Sequence, residues 1–487
     1  MTAAVLGLAL ALGSEPSLEV RLRGEGAVDV VPEPEGGLAR SASAGGYSER
    51  VGELRGEVFV RARSQLAPSV SVAASVFVSG SHSHQGAPNG HQYLGWNGTG
   101  GRSVVEERVG ELAARLTLGN LHAVVGKQFI RWGASPLFSP VDVVNPVNLA
   151  EGPAVLRSAD PDAPYLPVWG ARLSIEPGPM LIEGVWVPVF APDRVDLVRG
   201  DWALLAGERG SGLAAALREL ETAVPPALWQ RLGADTLVRR PPGLSLANGQ
   251  AGLRVGVRRE SWQASANYFF GYEHYPQVIV NTGIANPLIA YFEKDPSLRD
   301  PRIDFDEVLV RLDAGESLFD GSYRRRQSWG VSAETSRRAW HIALDAAYSP
   351  RATVYARSGR AADASLTAAA ASASYWPYQT AVAWLGLHGT MIGLRGPTAQ
   401  LAFGWDERVL AADVGVRTTF RDVWRVQVMA VTEIERSSYY GTLSVGYAIN
   451  ENIDAFAGID IVGGRRGTLG GQFEGNDQGF LGIRAIY

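Results

Sequence analysis

Alternation of apolar and polar side chains is the feature that most limits how this chain can fold. It continues to the last residue, where Leu481, Ile483, Ala485 and Tyr487 share one face and Arg484 lies on the other. Successive side chains of an extended strand point to opposite faces of a sheet, whereas a helix repeats every 3.6 residues. The C-terminal segment is therefore predicted to be a strand with one apolar face.

The same period of two recurs along most of the chain. In 422–432, Trp424 and Val426 share one face while Arg425 and Gln427 share the other. Similar alternation occurs in 57–63, 111–118, 340–348 and 452–462, and further candidate strands lie near 18–30, 69–80, 121–131, 168–176, 180–188, 249–258, 262–272, 324–336, 365–376, 379–388, 397–405, 409–419, 437–448 and 477–487. The helical period fits few of these segments, so the chain is predicted to be nearly all β.

The residues on each face distinguish a soluble sandwich from a membrane barrel. A sandwich buries its apolar face against a second sheet, which favours large residues. Here the apolar faces are rich in Ala and Val and end in Trp or Tyr, as at Trp169, Trp262 and Tyr447. Trp and Tyr favour the boundary between hydrocarbon and headgroups. The opposite face carries Arg, Glu and Asp, which suit a water-filled interior. A transmembrane antiparallel barrel is favoured, with a soluble β-protein as the alternative.

Connections between the predicted strands alternate in length. Short links at 66–69, 119–120, 177–179 and 259–260 alternate with long ones at 80–104, 132–167, 189–248 and 273–323. Short periplasmic turns opposite long extracellular loops are typical of outer-membrane barrels, which close with an even number of strands. The alternation indicates about 18 or 19 strand segments, and the direction of the chain is ambiguous near 389–396. The prediction is 18 strands, with 16 or 20 as alternatives, in a single barrel over 14–487.

Composition excludes several classes of function. The chain has no Cys, which removes disulfides, thiolate catalysis and Cys-based metal sites. The formal net charge of −5 argues against a nucleic-acid partner, which would select a basic surface. No Gly-x-Ser-x-Gly, His-Glu-x-x-His or phosphate-binding loop is present, so no enzyme, cofactor or catalytic residue is predicted.

The N-terminus is interpreted as a targeting segment. An apolar run is followed by Ala11-Leu12-Gly13 and then by polar residues, the arrangement that a signal peptidase accepts. The run is too short for a transmembrane helix, which needs about 20 residues. No basic residue precedes it, so either the true start lies upstream or the segment is only an apolar N-terminus. Residues 1–13 are predicted to be a signal peptide.

One long connection, 189–248, is predicted to be a helical insertion. Ser211 suits a helix N-cap, 212–221 favours a helix, and Pro225-Pro226 would end it. Such an insertion either caps the barrel from outside or folds inward as a plug or gate.

Polar residues of the predicted strands are candidates to line the barrel interior. Their mixed charges would set the electrostatics of a pore. The candidates are Glu57, Arg61, Arg63, Glu111, Arg115, Gln128, Arg425, Gln427, Asp454, Asp460 and Arg484.

The final strand resembles that of the porin-like Gram-negative outer-membrane barrels. In that superfamily a terminal aromatic preceded by apolar residues at every second position is recognised by the barrel-assembly machinery. The resemblance implies an outer-membrane location, with the lipid bilayer and that machinery as partners. Leu481, Ile483, Ala485 and Tyr487 would form the assembly signal, and Ile486 departs from the pattern because it is apolar on the water-facing side.

A second resemblance covers about 20 residues. The stretch from Gly126-Lys127-Gln128 to Trp132-Gly133, followed by an Asp142 to Asn145-Pro146 turn, is similar to uncharacterised proteobacterial barrels encoded beside RND-type exporters. The resemblance implies an inner-membrane exporter as a possible partner. Members carry an acidic residue where this chain has Ala134. From the residues themselves, Gln128 is expected to face the interior, Trp132 the membrane interface, and Asn145-Pro146 to form a loop turn.

Two clusters contain residue types that bind metals, but neither has the pattern of a metal site. His82, His84 and His91 lie close in sequence but without carboxylates between them, in a stretch rich in Gly and Ser. An acidic stretch lacks the ligand spacing of a calcium loop; its members are Asp295, Asp300, Asp304, Asp306 and Glu307. Both are interpreted as solvated loops, and no metal site is predicted.

The leading functional hypothesis is a passive outer-membrane pore that lets solutes diffuse. The alternative is a barrel component of an export pathway for hydrophobic molecules or polysaccharide. A third class is an outer-membrane enzyme or receptor.

Overall fold

A computed structural model gives the architecture of the chain. It describes 17–29, 51–85, 102–136, 138–148, 158, 162, 164–194, 248–275, 277–281, 283–284, 305–314, 316, 319–355, 361–394, 407–465, 468–472 and 477–487. The predicted signal peptide at 1–13, the predicted helix at 212–221 and the candidate strand at 397–405 lie outside these residues, as do His91, Asp295, Asp300 and Asp304.

Eighteen strands form one closed antiparallel sheet. They are β1 (Ser17–Asp29), β2 (Val51–Ala67), β3 (Val70–Gln85), β4 (Arg102–Leu118), β5 (Leu121–Gln128), β6 (Val168–Ile175), β7 (Met180–Val187), β8 (Gln250–Arg258), β9 (Trp262–Tyr272), β12 (Arg325–Arg337), β13 (Trp340–Tyr355), β14 (Ala361–Tyr378), β15 (Ala381–Leu394), β16 (Arg408–Phe420), β17 (Trp424–Glu433), β18 (Ser438–Ala448), β19 (Ile453–Gly463) and β20 (Gln478–Ile486). The prediction of an 18-stranded barrel is confirmed.

The first and last strands close the barrel. β1 pairs with both β2 and β20, and the N–H groups of Val20 and Tyr487 each donate to the carbonyl of the other residue at 2.8 Å. β15 pairs directly with β16, which settles the ambiguity near 389–396, because β15 runs through that region to Leu394. Closure leaves no sheet edge, a requirement for β-structure in a bilayer.

The outer face of the barrel is apolar and exposed. In β20, Leu481 and Ile483 are 67% and 56% exposed, and Tyr487 beyond it is 58% exposed. Ala485 has the same parity and pairs laterally with Leu22 and Ile453, whose larger side chains flank its methyl group. Exposed apolar side chains on a closed sheet would be costly in water, so this face is in contact with lipid.

Aromatic side chains form bands at both ends of this face. Trp262, Trp340 and Trp424 are exposed at the end where the short turns lie, and Trp169 and Trp186 at the other. Several are paired across strands, as in Trp340–Tyr375 and Trp424–Tyr447, with ring centroids 4.7 and 4.9 Å apart. A closed antiparallel barrel with an apolar belt between two aromatic bands is an outer-membrane protein.

Short turns join the strands at the end that also carries Ser17 and Tyr487. They include Gly119 and Gly178, whose φ angles of 58° and 64° suit glycine. At the other end the strands extend further than predicted, since β3 reaches Gln85 and β4 begins at Arg102.

Small elements lie outside the barrel wall. The long connection after β9 contains a hairpin of β10 (Gln277–Val280) and β11 (Phe319–Ser322) and a helix, α1 (Phe305–Asp313). Asp306 and Glu307 belong to α1, so they are helical residues and not part of an open loop. A one-turn helix, α2 (Leu469–Gln472), precedes β20. No helix among the described residues is long and apolar enough to cross a membrane.

Candidate functional site: a segment folded into the barrel

The connection after β5 folds into the barrel interior. We call residues 129–148 the inward segment; residue 137 is not described. Ile130, Trp132 and Val144 are almost fully buried against the inner face of neighbouring strands. They pack with Val168 on β6, Val185 and Val187 at the end of β7, and Phe269 on β9. Apolar contact therefore fixes the segment to the barrel wall.

Trp132 is the central anchor of this packing, and the prediction that it lies at the membrane interface is wrong. Its side chain is 1% exposed inside the barrel. The ring makes an edge contact with Phe269, and its Nε1–H donates to the Glu183 carboxylate on β7 at 2.6 Å. The segment leaves the strand and turns inward, so the sequence alternation that assigned Trp132 outward no longer applies there.

Asp142 ties the inward segment to itself. Its Oδ1 accepts the backbone N–H groups of Trp132 at 2.6 Å and Gly133 at 2.7 Å. Its Oδ2 lies 3.3 Å from Nε of Arg131. Hydrogen bonds to an ionised carboxylate are roughly twice as strong as neutral ones. The carboxylate thus holds the Trp-Gly backbone in the position that places the Trp132 ring in its pocket.

Asn145 fastens the base of the segment. Its side-chain oxygen accepts the N–H of Ile130 at 2.6 Å, and its amide donates to the Leu166 carbonyl, just before β6, at 2.8 Å. The predicted loop turn at Asn145-Pro146 is therefore a cross-link between the outgoing and returning chain. An amide provides the acceptor and the donor that this position needs.

The segment reaches the opposite part of the wall. The Asp345 carboxylate on β13 accepts the N–H of Ser135 at 2.8 Å and that of Ala134 at 3.1 Å. Further on, the Phe138 ring contacts the His388 ring on β15, with centroids 4.9 Å apart, and His388 is paired with Asp413 on β16. The segment thus contacts the inner wall at strands from β6 to β15 and occupies part of the barrel interior.

A buried polar cluster holds the C-terminal end of the segment at the mouth of the barrel. Asp193, after β7, accepts the N–H of Val147 at 2.8 Å, and its own N–H donates to the His274 carbonyl at 3.0 Å. Burial raises the pKa of Asp193 to about 6, although the bond from Val147 and the Arg326 guanidinium oppose the shift. Burial, aided by Arg326, lowers the pKa of His274 to about 3. His274 is therefore neutral at pH 7.

The rest of the inner face carries charged groups in contact with one another. Arg23 lies between Glu25 and Glu57, and its guanidinium is within 5.7 Å of the Phe456 ring centroid. Asp454 pairs with both Arg425 and Arg484, the latter at 2.9 Å. Buried charges are stable only when they are paired or hydrogen-bonded in this way.

The candidate lining residues have the following positions. Glu57, Glu111, Gln128, Asp454 and Asp460 are buried on the inner face, and Arg61, Arg115, Arg425, Gln427 and Arg484 are partly buried there. Arg63 has the same parity as Arg61 and is exposed near the short-turn end. Gln128 donates to the Val124 and Gly170 carbonyls at 3.2 and 3.1 Å. The side chains of His82 and His84 in β3 are outside the described set, as are those of Asp306 and Glu307.

A second stretch of the same connection contacts this charged wall. Ser158 donates to Glu57 at 3.1 Å, and Asp162 pairs with Arg61 at 2.7 Å. The connection after β5 therefore contacts the inner wall in two places: the inward segment packs on strands from β6 to β15, and Ser158 and Asp162 contact β2.

Sequence reasoning missed the direction of the inward segment and the roles of Glu183, Asp345 and Asp193. Glu183 and Asp345 alternate like any other lining residue, so nothing in the sequence identifies their partners. The sequence does contain one signal, the glycine at position 126. In the structure Gly126 has a φ of 130°, and a Cβ there would meet the Leu112 carbonyl at 2.2 Å. A glycine opening the Gly-Lys-Gln motif marks the place where the strand departs from regular geometry.

Filling the space beside Trp132 is expected to displace the inward segment. A Cβ on Gly252 of β8 would lie 2.5 Å from the Trp132 ring, so Gly252→Val should expel the ring and break its bond to Glu183. Overpacking of this kind costs roughly 1–3 kcal/mol. Hydrogen–deuterium exchange of 129–148 should rise, whereas Gly56→Val, at an open position on the outer face, should leave it unchanged. Equal protection in both variants would contradict this packing.

Asp193 and His274 are expected to change the stability of the barrel with pH in opposite directions. The raised pKa of Asp193 contributes stability that is present below pH 3.8 and lost as the pH rises through about 6. The lowered pKa of His274 contributes stability that is present above pH 6.5 and lost as the pH falls toward about 3. Between about pH 6 and 4, the two contributions to the slope of the free energy of unfolding against pH nearly cancel in the wild-type protein.

Single substitutions should separate the contribution of each residue to the pH dependence of the free energy of unfolding. His274→Gln is expected to make the barrel more stable as the pH falls from 7 to 4, and Asp193→Asn to make it less stable over the same range. Each slope is on the order of 1 kcal/mol per pH unit. Thermal unfolding in detergent at several pH values measures both, and parallel curves for the two variants would show that the cluster does not titrate in this way.

Comparisons with known proteins identify one family. A family described as "Protein of unknown function (DUF1302)" matches residues 116–449, which include the inward segment and most of the barrel. No match was found among curated proteins.

Several solved structures are similar to the chain at low identity. Pseudomonas aeruginosa OccK7 is 11% identical with a TM-score of 0.46, covering 97% of this chain and 99% of its own. Acinetobacter baumannii OccAB3 is 9% identical with a TM-score of 0.45 at the same coverage. OmpT, an outer membrane protein of Vibrio cholerae, is 10% identical with a TM-score of 0.42, covering 98% of this chain and 99% of its own.

Proposed function

The chain belongs to the DUF1302 family, and from the geometry of its barrel we propose that it is a passive outer-membrane pore whose bore is narrowed by the inward segment. Solutes would cross by diffusion, without a chemical step. The observation that carries the proposal is the way in which the segment is held. Asp142, Asn145, Asp345 and Asp193 each accept at least one of its backbone N–H groups.

A segment held at so many points is a fixed constriction and not a freely moving lid. Hydrogen bonds to charged acceptors contribute roughly 1.5–3 kcal/mol each, and the burial of Trp132 and Val144 adds to them. Away from the segment the inner wall carries partly exposed charged groups, such as Arg425 and Arg484, which both pair with Asp454. Passage would therefore suit small polar solutes, with selectivity set by the width of the constriction and by this mixture of charges.

Conductance in a planar bilayer tests the proposal. The purified, folded barrel should give stable open channels, and a salt gradient across the bilayer should give a reversal potential that reports its preference for cations or anions. A folded barrel that never conducts would contradict a passive pore. That outcome would favour the alternative, a barrel that opens only with an export machine, and reconstitution with a candidate inner-membrane exporter would then be the next test.

The final strand is proposed to be the part that the barrel-assembly machinery recognises. Its apolar face, Leu481, Ile483, Ala485 and Tyr487, points toward lipid at the place where the barrel closes. β20 closes the barrel by pairing with β1, so a failure of that pairing would leave two open edges.

A further inference from the structure

A groove runs across the outer surface of the barrel. It has a volume of about 930 Å³ and is lined mainly by apolar groups of β8, β9 and β12 to β16. The strand register explains its shape. In one lateral row, Ala346, Ala369 and Gly389 lie side by side between the larger Val331 and Leu410. Three small residues in succession between two large ones leave a depression in the wall.

The groove lies on the face that contacts lipid. Val331 and Leu344, which line it, are 55% and 53% exposed and belong to the apolar belt. Trp262, 45% exposed, marks the end of the groove near the short turns, at the level of the headgroups. A hydrocarbon chain is therefore the natural occupant of the space above the small residues, because nothing polar in the bilayer core could fill it.

Two arginines lie beyond Trp262 at the end of the groove. Arg259 follows Val257 by two residues and Arg337 follows Ala333 by four, so both have the parity of the outer face. Both are exposed, and neither forms an ion pair within the part of the chain that the structure describes. The turns that carry them are in contact, since the Ser336 N–H donates to the Ser261 carbonyl at 2.9 Å. Glu260, the acidic residue of the same turn, is exposed and is likewise unpaired among the described residues.

We propose that the groove binds an anionic phospholipid of the periplasmic leaflet, with one acyl chain over Ala346 and Ala369 and the phosphate at Arg259 and Arg337. Short turns lie on the periplasmic side of outer-membrane barrels, which places these arginines at the headgroups of that leaflet. Guanidinium groups bind phosphate through paired N–H donors. The site depends only on the outer surface, so it is independent of whether the barrel conducts.

Native mass spectrometry of the barrel released from nanodiscs tests the site. Nanodiscs of phosphatidylglycerol and of phosphatidylcholine should be compared. The wild-type protein is expected to retain one phosphatidylglycerol and little phosphatidylcholine. The double variant Arg259→Gln/Arg337→Gln should lose retention by roughly fivefold per arginine, the effect of one basic residue near an anionic surface. Glu260→Gln should increase retention.

A variant in which larger side chains fill the groove provides the second test of lipid binding. Ala346→Leu/Ala369→Leu keeps the surface apolar, so the barrel should still fold, but no acyl chain would fit. Matched controls are Arg421→Gln, in another turn at the same end, and Ala430→Leu, an exposed outward alanine outside the groove. Both controls should retain lipid as the wild type does.

Three results would overturn the proposal: unchanged lipid retention in the filled variant, equal retention of the two lipids, or a loss of retention in the controls as large as in the groove variants. An oligomer that disappears in the filled variant while lipid retention stays the same would assign the groove to a second copy of the chain. Heat-modifiable migration on gels verifies that each variant is folded before it is compared.

Discussion

Replacing Asp142 by alanine is expected to widen the bore and to raise both the mean current and the current noise, while the barrel wall stays folded. Among the described residues, the Asp142 carboxylate is the side-chain acceptor of the N–H groups of Trp132 and Gly133, and the substitution removes it. Two charge-assisted hydrogen bonds are lost, roughly 3 kcal/mol or more. Since 1.4 kcal/mol corresponds to about a tenfold change in an equilibrium, the displaced segment would become about a hundredfold more populated.

The wall should survive because none of these bonds joins two barrel strands. Single-channel recording gives the current, and heat-modifiable migration reports the wall. Asp142→Asn keeps an oxygen acceptor without the charge, so its effect should be intermediate. Glu451→Ala, in an exposed turn between β18 and β19, is the matched control and should conduct like the wild type.

Unchanged conductance in Asp142→Ala, together with unchanged hydrogen exchange of 129–148, would contradict the role of Asp142. Increased exchange without a change in current has a different meaning. It would show that the segment is released but does not limit the current, so the constriction would have to lie elsewhere.

Replacing Tyr487 by aspartate is expected to reduce strongly the amount of barrel assembled in cells, with little effect on the stability of protein that has folded. Tyr487 lies at the membrane edge, where a charge on the lipid face costs only about 0–1 kcal/mol. Its pairing with Val20 uses backbone groups alone, which the substitution leaves in place. A large loss in cells would therefore reflect failed recognition of the strand and not a weak barrel.

A second substitution separates recognition from stability. Leu481→Arg places a charge deeper in the apolar belt, where the cost is about 2–4 kcal/mol, so it should weaken refolding into lipid vesicles as well. Tyr487→Phe keeps the terminal aromatic and should behave like the wild type. Quantifying folded barrel in outer-membrane fractions, beside refolding yields in vesicles, measures both effects. Normal assembly of Tyr487→Asp would exclude a role for the terminal aromatic as a signal.

The barrel could be predicted from sequence because each strand carries its own evidence. A two-residue period is a local property, and lipid outside with polar groups inside makes it nearly continuous, as in β17 and β19. The strand count was uncertain only near 389–396. There Gly389 and Gly393 interrupt the apolar face of β15, so the pattern weakened although the strand continued to Leu394.

The inward segment could be predicted only in part. Its motif stands out in the sequence, but Asn145-Pro146, predicted to form a loop turn, instead joins the outgoing and returning chain through the Asn145 side chain. The position of Trp132 was predicted incorrectly, because a tryptophan near a strand end suits both a membrane interface and a buried contact. Contacts with Glu183 and Phe269 hold Trp132 in the buried position, and these residues are 51 and more than 100 residues away along the chain.

The sequence by itself determined the wall of this protein: strands with two unlike faces, aromatic ends, and a last strand whose apolar face continues to Tyr487. These features arise because each strand has lipid on one face and polar groups on the other, so the residues of a single strand are enough to encode them. Only the tertiary structure decided what lies inside the wall. Asp142, Glu183 and Asp345 have the same polar character as other lining residues, and they become anchors because barrel closure brings distant strands around one segment whose N–H groups need acceptors.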